Sequence, residues 1–275
     1  MKNKRQSPIA IDSDILTHKR CGSLIVFSKS LDRGKSWTKP IRISKFGGDC
    51  LDGDNTVEGA VPALGPNGEI YVTWTGPKGL MFQKSLDGGL TWLEEEKHLS
   101  NQVGGWDLTI PGFYRANGLP FLMSDMSSGP NQGTLYLNWC DQRNGSENTD
   151  VWLMKSTDGG NSWSEPSRVN QDQTKTHQFL TTMCIDQSTG DLHFVYYDRR
   201  NHTGKATDVV WATSSDAGLT FQEEIISERP FTPNNKVFFG DYLGITAVNG
   251  RIRPIWPRMD EGKITLWTAI IDTEN

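Results

Sequence analysis

The chain has 275 residues, 35% of them hydrophobic, with 28 Gly, 10 Trp and a net charge of −5. That length can bury a sizeable core, and no run approaches the roughly 18–20 apolar residues that span a bilayer. The acidic balance argues against nucleic acid as the main partner, and the basic start, Met1–Pro8, lacks the apolar segment of a signal peptide. In chain order, residues 1–49 offer one apolar strand, Ser23-Leu-Ile-Val-Phe27, followed by Ser30-Leu-Asp32-Arg-Gly34-Lys-Ser36-Trp37. The acidic run Asp49, Asp52, Asp54 departs from the EF-hand spacing and reads as a solvated loop. From there a unit repeats: a short apolar strand, a turn, an alternating strand ending in an aromatic, a loop, a third strand, and a second turn before a fourth strand.

The first strands are Gly59–Leu64, Thr181–Ile185 and Gly244–Val248; the second are Ile70–Trp74, Leu135–Trp139, Leu192–Tyr196 and Ile252–Trp256. Third strands are read at Val151–Met154, Val209–Ala212 and Ile264–Trp267. The second turn carries the pattern S-x-D-x-G-x-[ST]-[WF], first at Ser30–Trp37 and again at Ser85–Trp92, Ser156–Trp163 and Ser214–Phe221. An Asp accepts turn amides, a Gly supplies positive φ, hydroxyls close the turn, and the aromatic plugs the next strand. Four-stranded antiparallel meanders repeated along one chain predict an all-β fold, a β-propeller with blades at about 1–49 (partial), 50–104, 105–172, 173–231 and 232–275. The last segment lacks a box. An open ring exposes strand edges, so either residues 1–16 complete it or further sequence precedes Met1, and the second is the expectation.

Nine of the ten tryptophans fall in repeat elements and read as blade packing, Trp74 among them; Trp106 alone stands outside and is the candidate sugar platform. Cys21, Cys50, Cys140 and Cys184 form no CxxC pair, which excludes a zinc site of paired spacing. Four buried thiols are expected, with a disulfide between any two left open. No metal and no cofactor is read from the sequence.

The boxes are the Asp-box (BNR) repeat, so the chain resembles the sialidase-like β-propeller superfamily over nearly its whole length. It is most similar to bacterial secreted proteins of the exo-α-sialidase or BNR-repeat glycosyl-hydrolase type, through Asp54–Pro62, Phe113–Pro120, Asn138–Gly145 and Phe239–Tyr242. The resemblance implies one six-bladed propeller domain over 1–275, of which about five blades are visible. It also implies a secreted, periplasmic or cell-surface protein, a glycan substrate, and, as the expected state, a monomer. The Asp box belongs to a fold and not to one activity.

Antiparallel geometry puts first-strand starts and the loops after second strands on one rim, and the boxes on the other. That rim collects Glu58, Tyr114, Arg115, His177, Asp241 and Tyr242 from strand starts, and Arg143, Arg200 and Arg258 from loops. The recurring Asp-x-Arg (Asp141/Arg143, Asp198/Arg200) reads foremost as a salt bridge locking each loop, with ligand contact as the second reading. Arg115 and Arg258 have no counterpart in other repeats and rank higher as ligand contacts. His177 suits either a hydrogen bond to a neighbouring blade or the site.

The resemblance implies hydrolysis of a sialic-acid-like sugar by a tyrosine nucleophile, which avoids setting one carboxylate against another. Tyr242 is the nucleophile candidate with Tyr114 in reserve, Glu58 its base and Asp241 the acid. Arg115, Arg258, Arg143, Arg200 and His177 would bind the anionic group. The Arg-Ile-Pro motif that carries the first arginine of sialidases has no match here. A non-catalytic propeller that binds glycan or protein on the same rim is the rival reading.

Overall fold

The computed structural model describes residues 9–11, by their backbone, and 21–273. Among the described residues there are only strands, turns and loops, and every strand pairing is antiparallel. The chain divides into two compact units, residues 1–101 and 102–275.

In the first unit β1 (Ile9–Ile11), β2 (Ile25–Phe27) and β3 (Ile41–Arg42) form a three-stranded sheet in that order. A four-stranded meander follows: β4 (Glu58–Leu64), β5 (Ile70–Thr75), β6 (Leu80–Ser85) and β7 (Lys97–Ser100). Ile25, Phe27, Ile43, Val57, Ile70, Val72, Trp74 and Met81 make its core. Among the described residues the first sheet has three strands. Apart from Ile9–Ile11, the stretch 1–16 lies outside the described residues.

The second unit opens with a small hairpin of β8 (Asp107–Leu108) and β9 (Ala116–Asn117). The next meander is β10 (Phe121–Ser124), β11 (Leu135–Asp141), β12 (Asp150–Ser156) and β13 (Ser167–Arg168). Another follows as β14 (Gln178–Ile185), β15 (Leu192–Asp198), β16 (Asp208–Ser214) and β17 (Gln222–Ile225). The last sheet is β18 (Gly244–Val248), β19 (Arg251–Asp260) and β20 (Lys263–Thr268), with β21 (Ile271–Asp272) also on β19. The pairings Ile255↔Thr268 and Ile252↔Ile271 keep one register, so β21 continues β20 past a break at 269–270. β11, β14 and β15 are buried along their whole length, which explains why both side-chain faces of these strands carry apolar residues. Trp139 faces Trp152 across the sheet, whereas Trp211 faces Val195, one residue out of step, and so projects to the opposite face.

All four boxes fold alike. The first serine donates to the Asp Oδ1 at 2.8 Å, and its own oxygen accepts the glycine N–H at 2.7–2.9 Å. The closing Ser or Thr donates its N–H to Oδ1 at 2.8–2.9 Å and its hydroxyl to Oδ2 at 2.5–2.6 Å. The glycine is needed twice over at Gly89 and Gly218. Each has positive φ, and a Cβ there would sit 2.4 Å from Phe27 or 2.6 Å from Leu153 of the preceding sheet.

Those donors hold every box carboxyl low: hydrogen bonds from Ser36 and Ser30 bring Asp32 to about 2, and Asp87, Asp158 and Asp216 are lowered in the same way by their own turns. A carboxyl held below its unfolded value contributes stability that is complete above that value and lost as pH falls through the folded one. Asp158→Asn is therefore expected to unfold more readily than wild type near neutrality, with the difference shrinking on acidification below about pH 4. Tryptophan fluorescence across an acid titration reads this; a gap that stays constant with pH contradicts it.

Two further devices join successive sheets. Lys29, just before the first box, donates through Nζ to the Gly88 carbonyl in the second, and Lys155 before the third donates to Ala217 O in the fourth at 2.9 Å. On the opposite turns Asp186 accepts Asn249 N–H at 3.2 Å and Gly250 N–H at 2.8 Å. Gln187 accepts Met126 N–H at 2.7 Å and donates to Ser124 O at 3.1 Å.

Two expectations are corrected. Cys21 and Cys50 form a disulfide, while Cys140 and Cys184 remain buried thiols. The pairing is set by chain folding that brings their Cα atoms to 5.5 Å, which spacing alone does not reveal. Tyr114 and Arg115 do not start a first strand: that strand begins at Phe121, and both residues precede β9 in the small hairpin.

Candidate functional site

Two loops of the second unit meet at a polar and aromatic patch. One carries Phe113-Tyr114-Arg115 into β9; the other, ahead of β18, carries Phe238-Phe239-Gly240-Asp241-Tyr242. Their apolar members turn inward, where Phe113 and Phe239 pack at 4.8 Å in the main core. The alternate members face out: Tyr114 is 66% exposed, Phe238 51% and Tyr242 56%. Tyr114 stands edge-on to Phe238 at 6.3 Å, and Phe121 edge-on to Tyr242 at 6.1 Å.

Between these aromatics Arg115 Nε lies 3.0 Å from Asp241 Oδ1, an ion pair without the alignment of a hydrogen bond. Asn117 fixes the second loop by donating to the Asp241 carbonyl at 2.8 Å. Arg115 also lies over the Trp106 ring at 5.8 Å. Trp106 itself is only 1% exposed, which corrects its reading as a sugar platform: it is the buried support under Arg115. The exposed rings are those of Tyr114, Phe238 and Tyr242, and Phe238 was missed because nothing in the repeat marks it. Exposed aromatic faces beside a charged pair suit a sugar, whose C–H faces stack on rings while its hydroxyls reach polar groups.

The other candidate arginines, Arg143, Arg200 and Arg258, are each paired with a carboxylate. Arg143 pairs with Asp141, Nη2 to Oδ2 at 2.5 Å, and stacks on Trp152 at 4.5 Å. Asp141 in turn accepts the Trp139 indole N–H at 2.9 Å. Arg200 bridges Asp198 at 2.6 Å and Glu223 at 2.7 Å, and Tyr196 donates its hydroxyl to Glu223. Burial pulls Arg200 down, but the hydrogen bonds to Glu223 and Asp198 outweigh it and leave the guanidinium held above its ordinary value. Both Asp-x-Arg pairs are thus the loop-locking salt bridges that their repetition suggests.

Arg258 is buried, donates to Asp260 at 2.7 Å and stacks on Trp267 at 4.5 Å. Its Nε and Nη1 have no hydrogen-bond partner among the described residues. Hydrogen bonding from Thr265 holds Asp260 low, with Arg258 adding to it.

His177, just ahead of β14, is buried with Nδ1 at 3.0 Å from Thr149 Oγ1 in the preceding sheet's loop. Burial and the charge of Arg199 bring it down to about 4, so the ring is neutral at physiological pH. Glu58 opens β4 in the first unit.

The class these observations define is an all-β protein of successive antiparallel four-stranded meanders with an exposed aromatic and ion-paired patch. No protein-family model matches the chain, and its sequence matches no curated protein. Among solved structures it is similar to a protein of unknown function from Dyadobacter fermentans, at 17% identity and TM-score 0.54, covering 95% of this chain and 69% of that one. It is also similar to the NanB sialidase from Streptococcus pneumoniae, at 15% identity and TM-score 0.50, covering 90% of this chain. The chain spans 35% of the NanB chain's length. These likenesses show a shared fold.

Proposed function

We propose that the chain is a sialidase-like glycoside hydrolase acting on a terminal, anionic, sialic-acid-like sugar, with its four-stranded sheets as propeller blades. The observation that carries this reading is the Arg115–Asp241 pair flanked by the exposed phenols of Tyr114 and Tyr242. Its fold is shared with a sialidase, which supports the reading without establishing the activity. In this proposal Arg115 leaves Asp241 for the sugar's carboxylate, and Asp241 takes a proton from solvent. Asp241 gives that proton to the leaving glycosidic oxygen as the Tyr242 oxygen, losing its own proton to a carboxylate base, bonds to the anomeric carbon. Water then displaces Tyr242 to release the sugar. Tyr114 takes the stacking role that its exposed ring allows. The part of Glu58 as base rests on the resemblance alone.

A second reading, glycan binding without turnover, is favoured by the pairing of Arg115, Arg143, Arg200 and Arg258 with carboxylates of their own. Hydrolysis of 4-methylumbelliferyl sialic acid separates the two. Turnover by the wild type that falls at least roughly a thousandfold in Tyr242→Phe, with glycan-array binding retained, supports the hydrolase. Binding without turnover at high protein concentration supports the rival, and an unchanged rate in Tyr242→Phe removes that residue from the mechanism.

A further inference from the structure

Arg199 follows directly on β15 and is 2% exposed. Among the described residues no carboxylate meets it, whereas Arg200 beside it has two. Its neighbours in sequence are engaged elsewhere: Asp198 by Arg200 at 2.6 Å, and Asp208 by His202 at 2.7 Å. The guanidinium donates from Nε to Thr207 Oγ1 at 3.1 Å, and that hydroxyl is itself spent on the Lys205 carbonyl at 2.9 Å. Nη2 is buried with no partner among the described residues. The rings of Phe179 and Phe113 flank the group, at 5.3 and 5.7 Å from the guanidinium carbon to their centroids. His177 gives it only a main-chain contact, accepting Arg199 N–H at 3.2 Å, and its neutral ring brings no negative charge.

A buried ion without a counter-ion is strongly unfavourable, and folded chains normally supply one. Burial lowers Arg199 only to about 10, so it remains a cation at neutral pH. Stacking on two phenyl rings offsets part of the cost but leaves the Nη2 donor unsatisfied. We propose that Arg199 is the floor of a second anion site, one that takes a small carboxylate. The planar fork and its unsatisfied donor suit a planar two-oxygen acceptor, and the two phenyl rings confine it to a small one. The loop that follows Arg199, Asn201 to Lys205, is exposed apart from half-buried His202, and a Cβ at Gly204 would meet nothing within 4 Å, so we place the entry there. The site is set between Phe113 and Phe179 and stands whether or not the chain hydrolyses a glycan.

Thermal unfolding of the full chain in sodium acetate, against sodium chloride of the same ionic strength and against neutral acetamide, tests it. Acetate is expected to raise the midpoint saturably, on the order of 5 °C at about a hundred times its dissociation constant, while chloride and acetamide do not. Free N-acetylneuraminic acid, run in parallel, separates this site from the rim: protection by it that survives Arg199→Met belongs to the rim, whereas acetate protection lost in Arg199→Met supports the site. Arg199→Met should abolish the response. Arg199→Lys, which keeps the charge and loses the fork, should weaken it at least about tenfold. If neither variant folds, the comparison of acetate with acetamide and chloride on the wild type decides alone. Equal effects of acetate and chloride, or an Arg199→Lys response equal to wild type, overturn the proposal and leave the two phenyl rings as the cation's whole compensation.

Discussion

Removing the Cys21–Cys50 disulfide, by reduction or by Cys21→Ser with Cys50→Ser, is expected to destabilise the first unit by about 3–4 kcal/mol. The bond joins residues 29 apart in sequence, and the loop it closes contains β2, the first Asp box and β3. Constraining a loop of that length removes much of the conformational freedom of the unfolded chain, and the first unit has little else to spare. Its core is a single small cluster around Ile25, Phe27 and Trp74, and its first sheet has short strands, β3 being two residues long. Hydrogen exchange at the amides of β2 and of Ile43, which donates to Ile25 O, reads the effect directly. Protection there should fall on reduction while that of β14 and β15 stays as it was. Loss in both places, or in neither, contradicts the assignment. The other two cysteines do not confuse the experiment: burial raises both thiols, Cys184 to about 12, so neither supplies a thiolate for exchange at neutral pH.

Arg200→Met is expected to cost about 3–5 kcal/mol, the usual consequence of deleting one partner of a buried ion pair. The substitution nearly preserves volume, so the loss is electrostatic. It leaves Asp198, whose side chain is 1% exposed, without its counter-ion, and it strips Glu223 and the Tyr196 hydroxyl of the guanidinium between them. The pH dependence has a definite sign. Burial already raises Asp198 above its ordinary 3.8, and without Arg200 that push is unopposed. A carboxyl whose folded value lies above its unfolded one lowers stability fully above the folded value, and not at all below the unfolded one. The deficit of Arg200→Met should therefore be largest at neutral pH and shrink as pH falls towards 3.8. Urea unfolding at several pH values measures it, and a deficit independent of pH would assign the loss to packing instead.

These two effects mark the boundary between what was legible in the residues and what was not. The Asp box was legible because its interactions are local: Asp158 is bonded by Ser156 and Ser162, two and four residues away. The Asp-x-Arg locks were legible for the same reason, since Asp141 and Arg143 are two residues apart. Two repeated devices were also present in the letters and went unread. A lysine precedes the first three boxes, at Lys29, Lys84 and Lys155, and the turn pattern D-x-S occurs at Asp125-Met-Ser127 and Asp186-Gln-Ser188. Their meaning depends on the next sheet, because Lys29 and Asp186 reach residues 59 and 64 positions away. The sequence also misplaced the strand after Tyr114, since the small β8–β9 hairpin has no counterpart in the other repeats.

By itself, then, the amino-acid sequence determined the all-β meander, the turn chemistry at every box and the burial of most tryptophans, because period-two patterning and short-range hydrogen bonds act within a few residues. Only the tertiary structure decided which charges are paired, since a carboxylate neutralises a guanidinium by distance in space. Asp241 meets Arg115 from 126 positions away, and Cys21 meets Cys50 across the first box. Trp106 sinks beneath Arg115, and Arg199, one residue from a fully bonded arginine, is buried with no carboxylate to meet it.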